Sequence, residues 1–183
     1  MYLRNRFCSS ELGRFISRDV SWNDAMAFCK WSGRQLPTEA QWEKAARGGM
    51  DDQSYPWGDQ LPSQPEFGNF FPRTCADDFE THPPLPGVAP VGSFVAGRNA
   101  YGLYDMAGNV WEWCMDVYHG KCGSRTDPTI PPKPYKEYGL RGGGWHNDNH
   151  LCVQCDYKNA ALPTFAGNTV GFRTVQNTVS SQP

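Results

Sequence analysis

The first regular pattern along the chain is helical. In Ser21-Trp-Asn-Asp-Ala-Met-Ala-Phe-Cys-Lys-Trp-Ser-Gly33, Trp22, Ala25, Met26 and Cys29 recur at helical spacings with Phe28 at their flank, so one stripe of the helix faces a core. Ser21 is a capping residue, Asp24 stands at the third helical position and Gly33 is a stop signal. A second helix follows. Thr38-Glu-Ala-Gln41 is a capping box, Ala40, Trp42, Ala45 and Ala46 continue the pattern, and Gly48-Gly49 ends it.

Beyond Gly49 the periodicity vanishes, and Pro, Gly, Asp and Asn interrupt almost every stretch through Asn99. Loops this long inside a compact domain need something to pin them, and Tyr55, Trp57, Phe67, Phe70, Phe71 and Phe79 are the residues to do it. Short strands bounded by turn residues are expected at Gly102–Tyr104, Val110–Met115, Leu140–Gly143 and Val170–Val175. Two helices followed by short strands and long loops predict an α+β domain.

Composition narrows the class. The chain has 183 residues, 14% aromatic and 20% charged, which is enough bulky apolar material for one ordered domain. A balance of 17 Lys+Arg against 19 Asp+Glu, with no clustering of aromatics and cations, argues against a nucleic-acid groove. The chain lacks an apolar run of about 18 residues and a basic-then-apolar start, so no membrane contact and a cytoplasmic location are expected. Cys8, Cys29, Cys75, Cys114, Cys122, Cys152 and Cys155 are odd in number and widely spread, which reads as reduced thiols rather than a disulfide framework.

Six blocks carry a specific resemblance: Leu36-Pro-Thr-Glu-Ala-Gln-Trp-Glu-Lys-Ala-Ala-Arg47, Tyr55-Pro-Trp-Gly58, Ala89-Pro-Val-Gly-Ser-Phe94, Tyr101-Gly-Leu-Tyr-Asp-Met-Ala-Gly-Asn-Val-Trp-Glu-Trp113, Leu140-Arg-Gly-Gly-Gly-Trp145 and Val170-Gly-Phe-Arg173. Together they resemble the formylglycine-generating enzyme (sulfatase-modifying factor) family. The resemblance implies a C-type lectin-like fold of the formylglycine-generating-enzyme type over residues 20–176: two helices, short antiparallel strands and long irregular loops. Residues 1–19 instead resemble the end of an Rhs-repeat core, in which Tyr2, Phe7, Phe15 and Ile16 suit an edge strand. Residues 177–183 are read as a tail.

In the family's oxidases two cysteines after a Gly-Gly-Ser motif bind copper and oxidise a substrate cysteine, copper(I) being held by soft thiolates. Carried onto this chain, Gly144 stands at the Ser, Asn147 at the first cysteine and Cys152 at the second. The pair is broken, so no catalytic residue is assigned; the alternative is a copper-dependent oxidase working on a protein cysteine through Cys152 and Cys155. His146, His150, Cys152 and Cys155 are also zinc-type ligands, at a spacing unlike the common zinc patterns, so neither copper nor zinc is the expected cofactor.

Calcium is. The family's Asn/Asp-x-x-Gly-Asn-x-Trp-Glu block wraps such an ion, and the matching groups here are the Asp105 side chain, the Gly108 and Val110 carbonyls and the Glu112 carboxylate, hard donors of the kind calcium takes. A second site of the family corresponds to Asn69 and Asp78. The alternative is that Asp105 and Glu112 simply hydrogen-bond the turn. Gly108-Asn109 and Gly142-Gly143-Gly144 lack the Lys-Ser/Thr and helix start of a phosphate loop and read as turns.

Residues 146–170 hold no Glu, Met or Trp, and only Gln154 and Lys158 fall outside what an adenine-randomised AAC codon encodes. With Trp145 before it and Val170-Gly-Phe-Arg173 after it, the segment resembles the variable part of proteins diversified by bacterial retroelements, which share this fold. That resemblance implies a non-catalytic ligand-binding protein whose contacts are His146, Asn147, Asp148, Asn149, His150, Asp156, Tyr157, Asn159, Thr164, Phe165 and Asn168, and whose partner is a protein or small molecule.

Overall fold

The computed structural model describes residues 14–15, 19–62, 65–70, 87–119, 135–147 and 149–176. Among them, Asp78 and Asp148 do not appear, nor do Phe71, Phe79, Cys8, Cys75 and Cys122.

Helix α1 (Trp22–Ser32) starts where its cap demands. The Ser21 side chain accepts from the Asp24 N–H, the Asp24 carboxylate accepts from the Ser21 backbone, and Gly33 ends the helix in the left-handed region at φ 68°. Its inner stripe is Ala25 and Cys29, both buried, with Trp22, Met26 and Phe28 half-buried against the same cluster. Helix α2 (Glu39–Ala46) carries the reciprocal Thr38–Gln41 bonds of a capping box. It buries Glu39, Trp42 and Ala46 and turns Ala40 to solvent, because Glu39 is held by Lys158 at 2.7 Å and its N–H donates to Asp116.

The strands are β1 (Arg14–Phe15), β2 (Trp111–Val117), β3 (Tyr138–Arg141), β4 (Asn159–Ala161) and β5 (Val170–Arg173), ordered β1-β5-β2-β3-β4. The β1–β5, β2–β3 and β3–β4 pairings are antiparallel, while β2 and β5 run parallel, with Trp111 opposite Val170 and Glu112 opposite Gly171. Of the residues expected to supply an edge strand near the start of the chain, Phe15 pairs with Phe172 in β1, and Tyr2, Phe7 and Ile16 lie outside the described residues. No strand forms at Gly102–Tyr104. The Tyr101 and Leu103 N–H groups donate to the Asn99 side chain instead, which closes a turn and removes the donors a ladder needs. β4, whose Asn-Ala-Ala has low strand propensity, is carried by its pairing with β3.

The sheet packs α1 on one cluster (Val20, Ala25, Cys29, Leu36, Trp113, Leu140, Phe172) and α2 on another (Trp42, Ala46, Met106, Cys114, Cys155). Indole N–H groups tie loops to the sheet: Trp22 donates to the Cys114 carbonyl and Trp113 to the Val20 carbonyl. The long loop after Gly49 is pinned by stacked aromatics, Tyr55 on Trp57 at 5.3 Å and Trp57 on Phe67 at 4.6 Å, with Phe70 beside them. No helix among the described residues is long and apolar enough to cross a membrane.

Candidate functional site

Three consecutive glycines carry the chain from β3 into the candidate surface. A Cβ on Gly142 would stand 3.0 Å from the Trp42 ring, one on Gly143 2.8 Å from Val153, and one on Gly144 3.1 Å from the His146 ring. Gly142 and Gly143 also hold φ of 89° and 73°, a region side chains rarely adopt. The Cβ position on Gly144 would also stand 3.3 Å from the Trp111 ring, so His146 and Trp111 both close on this glycine.

Asn147, at the position where the resemblance expects a copper-binding cysteine, is a turn residue. Its side-chain oxygen accepts from the Gly144 N–H at 2.7 Å and its own N–H donates to the Gly144 carbonyl at 3.0 Å. Asn149 caps the short 3-10 turn His150–Val153 by accepting from the Leu151 N–H. His146, Asn149, Asp156, Asn159, Thr164, Phe165 and Asn168 are exposed, and Asn147, His150 and Tyr157 are half-buried. Tyr157 rests against Trp111 at 6.1 Å. The Trp145 indole N–H donates to the Asn168 carbonyl at 3.4 Å, joining the two ends of the segment.

Cys152 and Cys155 are not disulfide-bonded. Cys152 packs with Trp111, Leu140 and Val170, whereas Cys155 packs with Trp42, Met106 and Cys114. Burial pushes the Cys155 thiol up to about 12, Arg47 lowering it less than burial raises it, so it is protonated at neutral pH. Cys152 and Cys155, the residues of the copper-oxidase alternative, are thus buried thiols assigned to two different hydrophobic clusters. His146 and His150 do not join them, as no group of three or more His, Cys, Asp or Glu among the described residues is placed to hold a metal ion.

Asp105 and Glu112 lie in a buried web. Asp105 holds φ 52° and its carboxylate accepts from the Gly92 N–H at 2.9 Å. The Glu112 carboxylate accepts from the Trp42 indole at 2.8 Å and from both Nε and Nη2 of Arg173. The same Nη2 lies 3.3 Å from the Tyr104 carbonyl and 3.4 Å from that of Asp105. A guanidinium thus already bridges Glu112 to the Asp105 turn. Asp105, Glu112 and the carbonyls of Gly108 and Val110 are donors of the type a hard cation takes and would be the groups to hold one. Asn69 is engaged elsewhere: its amide donates to the Gly87 carbonyl at 2.8 Å and to Asn109 at 3.2 Å.

Sequence reasoning missed Arg141. Fully buried, it sits over the Trp42 ring at 5.4 Å, pairs with Glu43 at 2.5 Å and donates to the carbonyls of Asp156 and Tyr157 at 2.7 and 2.8 Å. It fixes the middle of the 146–170 segment to α2. The Arg-Gly-Gly-Gly block marks it, but not its partners.

Two helices on a small mixed sheet, with long loops at its rim, define a C-type lectin-like domain. The chain belongs to the family whose model is described as the sulfatase-modifying factor enzyme 1-like domain, which matches residues 17–178. It is 36% identical over 165 residues to the formylglycine-generating enzyme of Bos taurus, covering 84% of this chain and 42% of that protein. It is 48% identical over 159 residues to the inactive C-alpha-formylglycine-generating enzyme 2 of Bos taurus, covering 84% of this chain and 48% of that protein. The chain therefore spans less than half the length of these curated relatives. Treponema denticola variable protein 1 shares the fold, with a TM-score of 0.65 at 22% identity over 94% of this chain and 75% of that one.

Proposed function

We propose that this chain is a non-catalytic ligand-binding protein that displays a variable surface, residues 146–170, on a C-type lectin-like scaffold, in the manner of proteins diversified by retroelements. The observation that carries the reading is the position expected for the first copper-binding cysteine: it is Asn147, bonded to Gly144 as a turn residue. That Cys152 and Cys155 are buried in separate hydrophobic clusters supports the same reading. A family relative whose name declares it inactive supports the reading, and so does the fold shared with a variable protein. The ligand is a protein or a small molecule.

A calcium ion held by Asp105, Glu112 and the carbonyls of Gly108 and Val110 belongs to the same reading, as a fold-stabilising ion with no part in chemistry. A cytoplasmic location also belongs to it, in keeping with Cys29, Cys114, Cys152 and Cys155 standing outside any disulfide. The test is genetic. Sibling copies from the source genome should differ almost only between residues 146 and 170, beside a near-identical template repeat and a reverse transcriptase. Substitutions spread evenly over the chain contradict the reading.

A further inference from the structure

Residues 146–170 are not held evenly, and from Gln154 to Lys158 each residue meets a partner outside the segment. The Cys155 N–H donates to the Ser54 carbonyl at 2.8 Å, and Arg141 donates to the carbonyls of Asp156 and Tyr157 at 2.7 and 2.8 Å. Lys158 pairs with Glu39 at 2.7 Å. That carboxylate lies against β3, where a Cβ on Gly139 would collide with it, and Glu39 is only 9% exposed. Gln154 is the polar side chain beside the buried Tyr55 hydroxyl, in a contact looser than a full hydrogen bond.

Gln154 and Lys158 are also the two residues of the segment that a randomised AAC codon does not encode. Composition and geometry thus single out the same pair by independent routes. Losing Lys158 strands a carboxylate with little access to water, and losing Gln154 takes the polar neighbour from a buried hydroxyl, so both positions are costly to vary. Further along, the carbonyls of Pro163, Gly167 and Asn168 accept from the Asn23 N–H, the Asp19 N–H and the Trp145 indole. Any residue supplies a carbonyl, and the side chains of Leu162, Thr164, Phe165 and Asn168 are exposed. We propose that Gln154 and Lys158 are positioning residues of the binding face. They pin residues 154–158 to the Tyr55 loop and to α2, and so divide the face into two loops, 146–151 and 162–168, whose exposed side chains contact the ligand. This rests on the reading of residues 146–170 as the binding face.

Two libraries of the intact chain displayed on yeast test the division. One randomises Asn149, Thr164, Phe165 and Asn168, the other Gln154 and Lys158, and resistance to proteinase K is the readout. Most clones of the first should resist as the wild type does, and most of the second should lose resistance. Second-library clones as resistant as those of the first overturn the anchors, and first-library clones that lose resistance as often overturn the two-loop division. Hydrogen exchange separates positioning from general stability. In Lys158→Met the amides of residues 159–168 should exchange faster while those of Cys29–Ser32 keep their rates, and Lys158→Arg should restore protection; uniform acceleration over the domain overturns the positioning role. Sibling gene copies that vary at 154 and 158 as freely as at 164, 165 and 168 overturn the proposal and leave the binding reading standing. Copies with differences spread evenly over the chain overturn the binding reading itself, whatever the protease result.

Discussion

Arg173 and Glu112, separated by 61 residues in sequence, form a two-point ion pair inside the domain. Glu112 is 1% exposed and also receives the Trp42 indole N–H, and the same guanidinium reaches the carbonyls of Tyr104 and Asp105. One cation thus ties β5, β2, α2 and the Asp105 turn together.

Removing one partner of a buried pair strands the other. Arg173→Met is expected to lower unfolding stability by about 3–5 kcal/mol, and the double variant with Glu112→Gln to recover part of the loss. Urea unfolding of wild type, single and double variants checks this; equal stability of all three would show that the pair contributes nothing.

Calcium is expected to add to this tie rather than replace it. Chelation with EGTA should lower Tm by several degrees, since an ion bound only by the folded state stabilises it by mass action. Asp105→Asn should reduce the EGTA-induced shift. A Tm insensitive to EGTA would mean that Arg173 holds the turn alone.

The Glu43 carboxyl couples stability to acid. Burial alone would raise its pKa, but hydrogen bonds and charge from Arg47 and Arg141 outweigh that and hold it below the ordinary 4.5. A depressed carboxyl contributes stability above its unfolded pKa and loses it as pH falls through the lower, folded one. Glu43→Gln should therefore flatten the loss of stability below about pH 4.5. An unchanged acid limb in the variant would exclude Glu43 as its source.

Burial raises the Cys29 thiol to about 11 and the Cys155 thiol to about 12, and holds Cys114 well above its ordinary value. At pH near 8, iodoacetamide should leave these three unmodified in the folded protein and modify them in denaturant, as read by peptide mapping. Rapid native labelling of Cys155 would contradict its place in the core.

The helices were legible because their signals are local. Ser21 with Asp24, and Thr38 with Gln41, name their own helix starts within one turn. The existence of β2 and β5 was legible from apolar runs between turn residues, while their C-terminal ends fell two residues away from the expected ones. What failed depended on distance: Gly102–Tyr104 lost its strand to the Asn99 side chain, and β4 exists because β3 is beside it. At the candidate site the exposed positions His146, Phe165 and Asn168 were found from composition, while Arg141 and the Trp145–Asn168 link were not. The claim of Glu112 on calcium came from a local motif, whereas its bonds to Trp42 and Arg173 come from helix and sheet packing that no local pattern announces.

Incubating the purified chain with copper, oxygen and a Cys-x-Pro-x-Arg peptide, and reading the peptide by mass spectrometry, tests the central claim most directly. A binding module leaves the cysteine unchanged, with and without copper. Copper-dependent conversion of that cysteine to formylglycine would contradict the account and return Cys152 to the chemistry.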